Sequence, residues 1–491
     1  MEPSDNSDGN KFWTLTAMSL GFGVVQLDVT IVNTALHSIG ASVGGGVAAL
    51  QWVVNAYTIA FASLILTAGA LGDRLGAKKI FMMGFALFTG ASLACAVAPS
   101  VGILIAARAL QGFGAAILVP NSLALLNHSY REETNRRKAV GIWAAGASIA
   151  LSLGPLAGGC LIALAGWRTI FLVNIPIGLT GLWLTWRHAV ETKPTPGREL
   201  DLRGQVTAIS ALGCLAGAMI EGGVVGWLNP WILSGLCASA VSLLLFILSE
   251  QYAQQPMLPL SLFNRRLFAA SSLIGLLVNI AFYGLIFVLS LYFQNLNGLS
   301  PLATGLAFLP MTAVVLPTNL WSANATQRFG ATTTIAAGAI VAALGCISLL
   351  NLDRGTNYWT MCVQLMAIGG GLGLLVPALT STLLGTVEKE RSGIASGVLN
   401  ATRQTGSVLG VALFGSFVGK TDTFVQGARL SLLISALVLV CASVTIVLGR
   451  EKEGPPGKPL SRKQRVSETE LADVRNPKTL TQSRSTKQTE S

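Results

Sequence analysis

Long apolar runs separated by short polar turns follow one another along almost the whole chain. A helix that crosses a bilayer needs about 20 mostly apolar residues, and fourteen segments qualify. The first six are Phe12–Leu36, Ala48–Leu71, Ile80–Ala98, Val101–Leu123, Ala139–Leu164 and Thr169–Trp186. Gly204–Glu221 and Pro230–Leu248 follow. The last six are Leu267–Tyr292, Leu302–Ala325, Thr332–Leu350, Tyr358–Leu384, Gly393–Val418 and Leu430–Leu448. Backbone polar groups in lipid must find partners within the protein, which favours helices for spans of this length. The pattern therefore predicts an all-α integral membrane protein with 14 transmembrane helices.

Composition agrees. Of 491 residues, 52% are apolar and 11% are Asp, Glu, Lys or Arg, against about 25% charged in soluble domains. Mean hydropathy is +0.62. A soluble enzyme, a nucleic-acid binder and a disordered scaffold are all disfavoured, and the net charge of +11 is read against a membrane. The seven cysteines each sit in an apolar run, without metal-ligand spacing, and read as small buried residues.

Lysine and arginine are enriched in cytoplasmic loops. Even-numbered loops carry Arg74, Lys78, Lys79, Arg131, Arg136, Arg137, Lys138, Arg187, Lys193, Arg198, Arg203, Arg265, Arg266, Arg328, Lys389 and Arg391. Odd-numbered loops carry only Arg168, Arg354, Lys420 and Arg429. Both termini are thus expected in the cytoplasm, and short loops suit a bacterial inner membrane. The expected organisation is a cytoplasmic tail at 1–11, a six-helix half at 12–187, a two-helix insert with flanking loops at 188–266 and a second six-helix half at 267–449. A basic cytoplasmic tail, expected to be disordered, occupies 450–491. An internal echo supports duplication: Asp73-Arg74-Leu75-Gly76 and Gln327-Arg328-Phe329-Gly330 fall at equivalent places in the two halves. Duplicated halves with a site between them are a common transporter design.

Asp28 carries the clearest chemistry. It is the one acid in the first apolar segment, and charge at that depth costs at least ~2.5 kcal/mol. A carboxyl withdrawn from water can take up and release a proton as its surroundings change. Arg108 is its expected partner. At ~1.5 Å rise per residue, Asp28 lies roughly 15 Å, and Arg108 roughly 10 Å, below the outer ends of their helices. If they meet, Arg108 holds Asp28 ionised in one conformation and releases it in another. Glu221 is a weaker second acid, with an interfacial surface position as the plainer reading.

Gly69, Gly72, Asp73, Arg74 and Gly76 form a tight cytoplasmic turn, whose glycines permit close approach and whose acid can pair with or cap a neighbouring helix. The fifth segment carries Gly146, Gly154, Pro155, Gly158 and Gly159, a kinked and smooth face for another helix. Gly415–Thr421 imitates a phosphate loop but has the wrong spacing between its glycine ends. No ATP site, cofactor or metal is expected.

These motifs resemble the major facilitator superfamily, and within it the fourteen-helix drug:proton antiporters used in multidrug efflux. The resemblance is carried by Leu27–Leu36, by Gln51–Tyr57, by the Gly69–Lys79 turn and by Arg108 with Gln111-Gly112. Gly146 with Gly154-Pro155 and Gly158-Gly159 is similar to the helix 5 pattern of exporters. Gly166-Trp167-Arg168, Asn174-Ile175-Pro176 and Arg403-Gln404 add to it. There are departures: His37 stands where the family usually has Pro, Gln327 replaces the acid of the first loop, and helix 10 lacks the acid of some exporters of dications.

The resemblance implies a major facilitator fold of two six-helix halves plus two central helices, and no enzyme activity. It implies proton-coupled export of amphipathic toxic compounds or antibiotics, cationic or neutral, from the inner membrane by alternating access. Asp28 with Arg108 would couple protons, the Asp73 turn would gate the cytoplasmic side, and Asn33, Trp52, Tyr57 and Arg403 would line the substrate path. Trp52 and Tyr57 are about 140° apart round their helix, so only one of them could face the cavity and stack on a cation, with ordinary packing as the equally open reading for each. Partners would be protons, drug-like substrates and membrane lipid, with no nucleic acid, and the protein would act as a monomer. The alternatives are a proton-coupled importer or facilitator of a small metabolite on the same fold, and a receptor or scaffold without transport.

Overall fold

The computed structural model describes residues 5–194, 201–253, 256–353, 356–388, 392–419 and 423–449. The tail at 450–491 and the loop residues Arg198, Arg354, Lys389, Arg391 and Lys420 lie outside the described residues.

Helices account for nearly all of the described chain. They are α1 (Asp5–Val43), α2 (Val47–Leu75), α3 (Ala77–Val97), α4 (Val101–Ser129), α5 (Glu133–Ala165), α6 (Thr169–Leu172), α7 (Asn174–His188), α8 (Leu202–Val225) and α9 (Pro230–Tyr252). Then come α10 (Arg266–Leu291), α11 (Pro301–Ala307), α12 (Leu309–Phe329), α13 (Ala331–Ser348), α14 (Tyr358–Gly385), α15 (Ser392–Phe417) and α16 (Phe424–Leu448). Two predicted spans are broken: α6 with α7 forms one, and α11 with α12 another. The second break falls one residue before Leu309-Pro310. Pro310 has no N–H to give the Leu306 carbonyl, and the Tyr358 hydroxyl donates there instead at 3.4 Å. The first segment runs past its predicted end at Leu36 to Val43, because His37, unlike a proline there, leaves the backbone ladder intact.

Thirteen segments among the described residues are long and apolar enough to cross a membrane. The remaining predicted span is α15, which has the length of a membrane helix with 26 residues. Its Asn400, Arg403 and Gln404 dilute its hydropathy, and all three line the central cavity described below.

Packing repeats itself. α1 lies on α5, and α4 is flanked by α2 and α3; likewise α10 lies on α15, and α14 is flanked by α12 and α13. The echo loops match as well. Gly76 at φ 99° and Gly330 at φ 85° each end a helix in a backbone shape that favours glycine. Each donates its N–H four residues back, to Gly72 (2.9 Å) and Thr326 (3.0 Å). The predicted insert is α8 with α9. α8 leans on α2 and α15, whereas α9 packs chiefly on α8, with only 11% of its apolar window buried. Large side chains such as Trp231, Leu243, Leu244 and Leu245 on α9 are exposed, as a lipid-facing helix requires.

Alternating helix directions put the start of α1 and the end of α16 on one side, called here the N-terminal face. The opposite side is the distal face.

Candidate functional site

Five helices converge on Asp28. It is 0% exposed, and Arg108, reaching from α4, is 1% exposed. Arg108 Nη1 donates to Asp28 Oδ2 and to Gln111 Oε1 at 2.7 Å, while its Nε donates to the Val53 carbonyl at 3.1 Å. The other carboxylate oxygen, Oδ1, accepts from Gln111 Nε2 at 2.8 Å and from Asn174 Nδ2 at 3.1 Å. Gln111 Nε2 also donates to Ser92 Oγ at 2.8 Å. The guanidinium carbon sits 4.3 Å over the Tyr57 ring. Isolated buried ions are prohibitively costly, and an ion pair survives burial only when its remaining lone pairs and protons are also satisfied. Here both carboxylate oxygens are.

Glycines on α4 make the approach possible. A Cβ on Gly112 would stand 2.8 Å from the Tyr57 carbonyl carbon, and one on Gly114 would stand 2.7 Å from the Phe88 nitrogen. α4 can therefore wedge between α2 and α3 and carry Arg108 into the cluster. Gln111 and Asn174 belong to the motifs that carry the resemblance but had no assigned role, and Ser92 was not singled out. The usable signal was an amide within an apolar span, which needs a buried partner, and Gln111 follows Arg108 by three residues on the same helix face.

Beside this cluster lies a cavity of about 510 Å³. Its walls are α1 (Phe22, Gln26, Thr30), α5, α10, α12, α14 and α15. Most of the lining residues lie at mid-span or toward the N-terminal face. The distal side is shut. Gln51 Nε2 on α2 donates to the Val411 and Ala412 carbonyls of α15 at 2.9 and 2.7 Å, and Ser290 Oγ on α10 donates to the Asn33 carbonyl. Gln26 and Thr30 stand two residues either side of Asp28, each about 200° from it round the helix. Asp28 thus faces away from the cavity that its own helix helps to enclose.

Of the residues expected to line a substrate path, Arg403 lines this cavity, donating from Nη2 to Thr380 Oγ1 at 2.8 Å. Asn33, Trp52 and Tyr57 do not. Asn33 is buried toward the distal side, bonded to its own helix at the Val29 carbonyl (3.0 Å). Tyr57 carries Arg108 on its ring and donates its hydroxyl to the Val25 carbonyl at 3.4 Å. Trp52 Nε1 donates to Glu221 Oε1 at 3.1 Å, tying α2 to α8. Neither aromatic lines the cavity; both take the packing alternative. The most deeply buried acid of the α8–α9 pair is Glu250, 3% exposed, whose Oε2 accepts from the Leu258 N–H at 2.8 Å.

At the N-terminal face the expected turn is a single residue: Gly69, Gly72, Asp73 and Arg74 lie in the last two turns of α2, which runs to Leu75, and the chain turns only at Gly76. Gly72 packs under the Asn121 side chain, whose Nδ2 donates to the Ala68 carbonyl at 3.1 Å. Asp73 is half-buried and Arg74 exposed. The next helix is capped by a residue that the sequence did not flag: Glu191 accepts from the Lys78 and Lys79 N–H groups at 2.8 and 3.0 Å. A carboxylate at a helix N-terminus meets both orphan donors and the helix dipole.

The α5 glycines serve two different neighbours. Gly154 and Gly158 lie against Thr30, Ile31 and Thr34 of α1, while a Cβ on Gly146 would be 3.9 Å from Ser19, an ordinary contact. Gly159 faces α11 across the distal side, where a Cβ would stand 2.6 Å from the Pro301 oxygen and 2.9 Å from the Leu302 Cα. Pro155 lines the cavity. Gly159→Leu should therefore wedge α5 from α11. Overpacking of about 1–3 kcal/mol corresponds to a roughly 5–150-fold shift against distal closure. Spin labels at Leu164 and Leu306, both exposed, should move apart in a cysteine-free background; an unchanged distance would refute the wedge.

Residues 18–411 and 271–484 match the family model described as Major Facilitator Superfamily. The chain belongs to the major facilitator superfamily. This superfamily member is 36% identical over 431 residues to a methylenomycin A resistance protein of Streptomyces coelicolor, a match covering 88% of this chain and 90% of the relative. It is 37% identical over 403 residues to the multidrug resistance protein Stp of Mycobacterium tuberculosis, covering 82% of this chain and 75% of that protein. Among solved structures, an auto-inhibited peptide transporter of the POT family has a TM-score of 0.67 at 14% identity, covering 91% of this chain and 98% of that one. A human organic anion transporter has a TM-score of 0.62 at 16% identity, covering 91% and 100%. At such identities the likeness is one of fold. The molecule is a multi-pass membrane transporter rather than an enzyme.

Proposed function

We propose that this protein exports amphipathic, drug-like compounds in exchange for protons. The observation that carries the reading is the position of α1, with the Asp28–Arg108 pair on one face and the cavity-lining Gln26 and Thr30 on the other. Similarity to proteins named for antibiotic and multidrug resistance supports the direction of transport. In this reading the N-terminal face is cytoplasmic, in line with the basic residues gathered there, and the membrane is the bacterial inner membrane. The helices at 12–187 and 267–449 form two rocking halves, with 188–266 as an insert.

The cycle follows from the chemistry. With the cavity open outward, Asp28 takes a proton and lets go of Arg108, so α1 and α4 can shift. With the cavity open inward, as here, the proton leaves, the ion pair reforms, and a compound enters from the cytoplasm. The end of α2 from Gly69 to Gly76, with Asp73, controls closure on that side, and the α5–α11 contact at Gly159 controls the other. The proton gradient is the energy source, no ATP or cofactor is needed, and a monomer suffices.

Proteoliposomes with an acid lumen and entrapped pyranine test this. Compounds from a panel spanning charge, added to the bath, should alkalinise the lumen beyond protein-free controls as they accumulate inside. A transporter that carries substrate and proton in the same direction would instead move compound out of the acid lumen, and that result would overturn antiport.

A further inference from the structure

The cavity is lined by five amide side chains, Gln26, Asn279, Asn319, Asn400 and Gln404, together with aromatic and aliphatic groups. Arg403 is the one charged side chain among the described residues that line it. Its hydrogen bond among those residues is to a hydroxyl, Thr380 Oγ1, so no carboxylate offsets its charge there. Asp28 is of no help, since its oxygens are spent on Arg108, Gln111 and Asn174 on the far face of α1. A guanidinium has five N–H donors in a planar fork that matches a carboxylate. Held in a bundle without an anion, it is a charge waiting for one. A cationic compound would meet that charge with nothing to balance its own.

From this we infer that the cavity selects compounds bearing a carboxylate, with Arg403 as the anion partner and the apolar wall holding the rest. Phe22 and Trp143, stacked with centroids 4.2 Å apart, and Phe282 offer faces for a flat ring system. The five amides can hold polar substituents without fixing one pattern, because each offers both a donor and an acceptor. A volume of about 510 Å³ admits one drug-sized molecule. The inference rests on the export reading only in taking this cavity as the substrate site.

Equilibrium dialysis of the purified full-length chain in a neutral detergent tests it without a gradient. The probes are 9-anthracenecarboxylate, 9-anthracenecarboxamide and 9-(aminomethyl)anthracene, which share a ring system and differ in charge. Hydrogen bonds to a charged group predict carboxylate binding roughly ten- to hundredfold tighter than the amide, with the amine weakest. In Arg403→Gln the carboxylate-to-amide ratio should fall to near one, and Arg403→Lys should keep part of it. Three results would overturn the inference: an amine bound as tightly as the carboxylate by the wild type, no binding of any of the three probes, or a preference that survives Arg403→Gln. A preserved preference without proton-driven movement would count against export alone.

Discussion

Asp28→Asn is expected to abolish accumulation of substrate driven by a pH gradient while leaving exchange of substrate down its own gradient intact. The amide keeps the size and most of the hydrogen bonds of the carboxyl, so α1 still packs against α4 and α7. It cannot be ionised, and the attraction to Arg108 that the proton is proposed to switch is gone in every state. Pyranine-loaded proteoliposomes read the first quantity and counterflow of labelled substrate reads the second. Coupled transport at the wild-type rate would remove Asp28 from the mechanism. Loss of counterflow as well would mean that the residue serves folding rather than coupling.

Arg108→Ala is expected to be the most destabilising single change in the cluster. It strips the guanidinium from a carboxylate that has 0% exposure and leaves only the Gln111 and Asn174 amides to face it. Breaking a buried pair from one side costs about 3–5 kcal/mol, a large part of the roughly 5–15 kcal/mol that holds a domain together. The unfolding midpoint in detergent should fall steeply. Adding Asp28→Asn to the same chain should recover much of the loss, because the stranded negative charge disappears with it. A double variant no more stable than Arg108→Ala would assign the loss to packing against the Tyr57 ring instead.

Sequence made the fold visible because the bilayer imposes a length. Each span needs enough apolar residues to cross, and even α15, whose Arg403 and amides dilute its hydropathy, could be marked as one. The breaks before Asn174 and Leu309 were not visible. Proline is tolerated in an apolar run, and hydropathy says nothing of the lost backbone bond. Depth was legible too, and it placed Asp28 and Arg108 at levels where they could meet.

Rotation was much harder to read. In a soluble helix the polar face points to water and fixes the azimuth, but a span surrounded by lipid and other helices is apolar nearly all round. That is why Trp52 and Tyr57 could be placed on α2 but not aimed, and why both proved to be committed elsewhere, to Glu221 and to Arg108. Glu191 was missed for another reason. It caps α3 from more than a hundred residues away, a meeting that only the packing of α3 on α7 arranges.

The back-to-back placement on α1 has a wider bearing. In the proposed cycle, fuel and cargo would never compete for the same atoms; they would be geared to each other through the tilt of one rod. A chamber built that way can be re-lined for a new passenger, one wall residue at a time, while the drive train stays as it is.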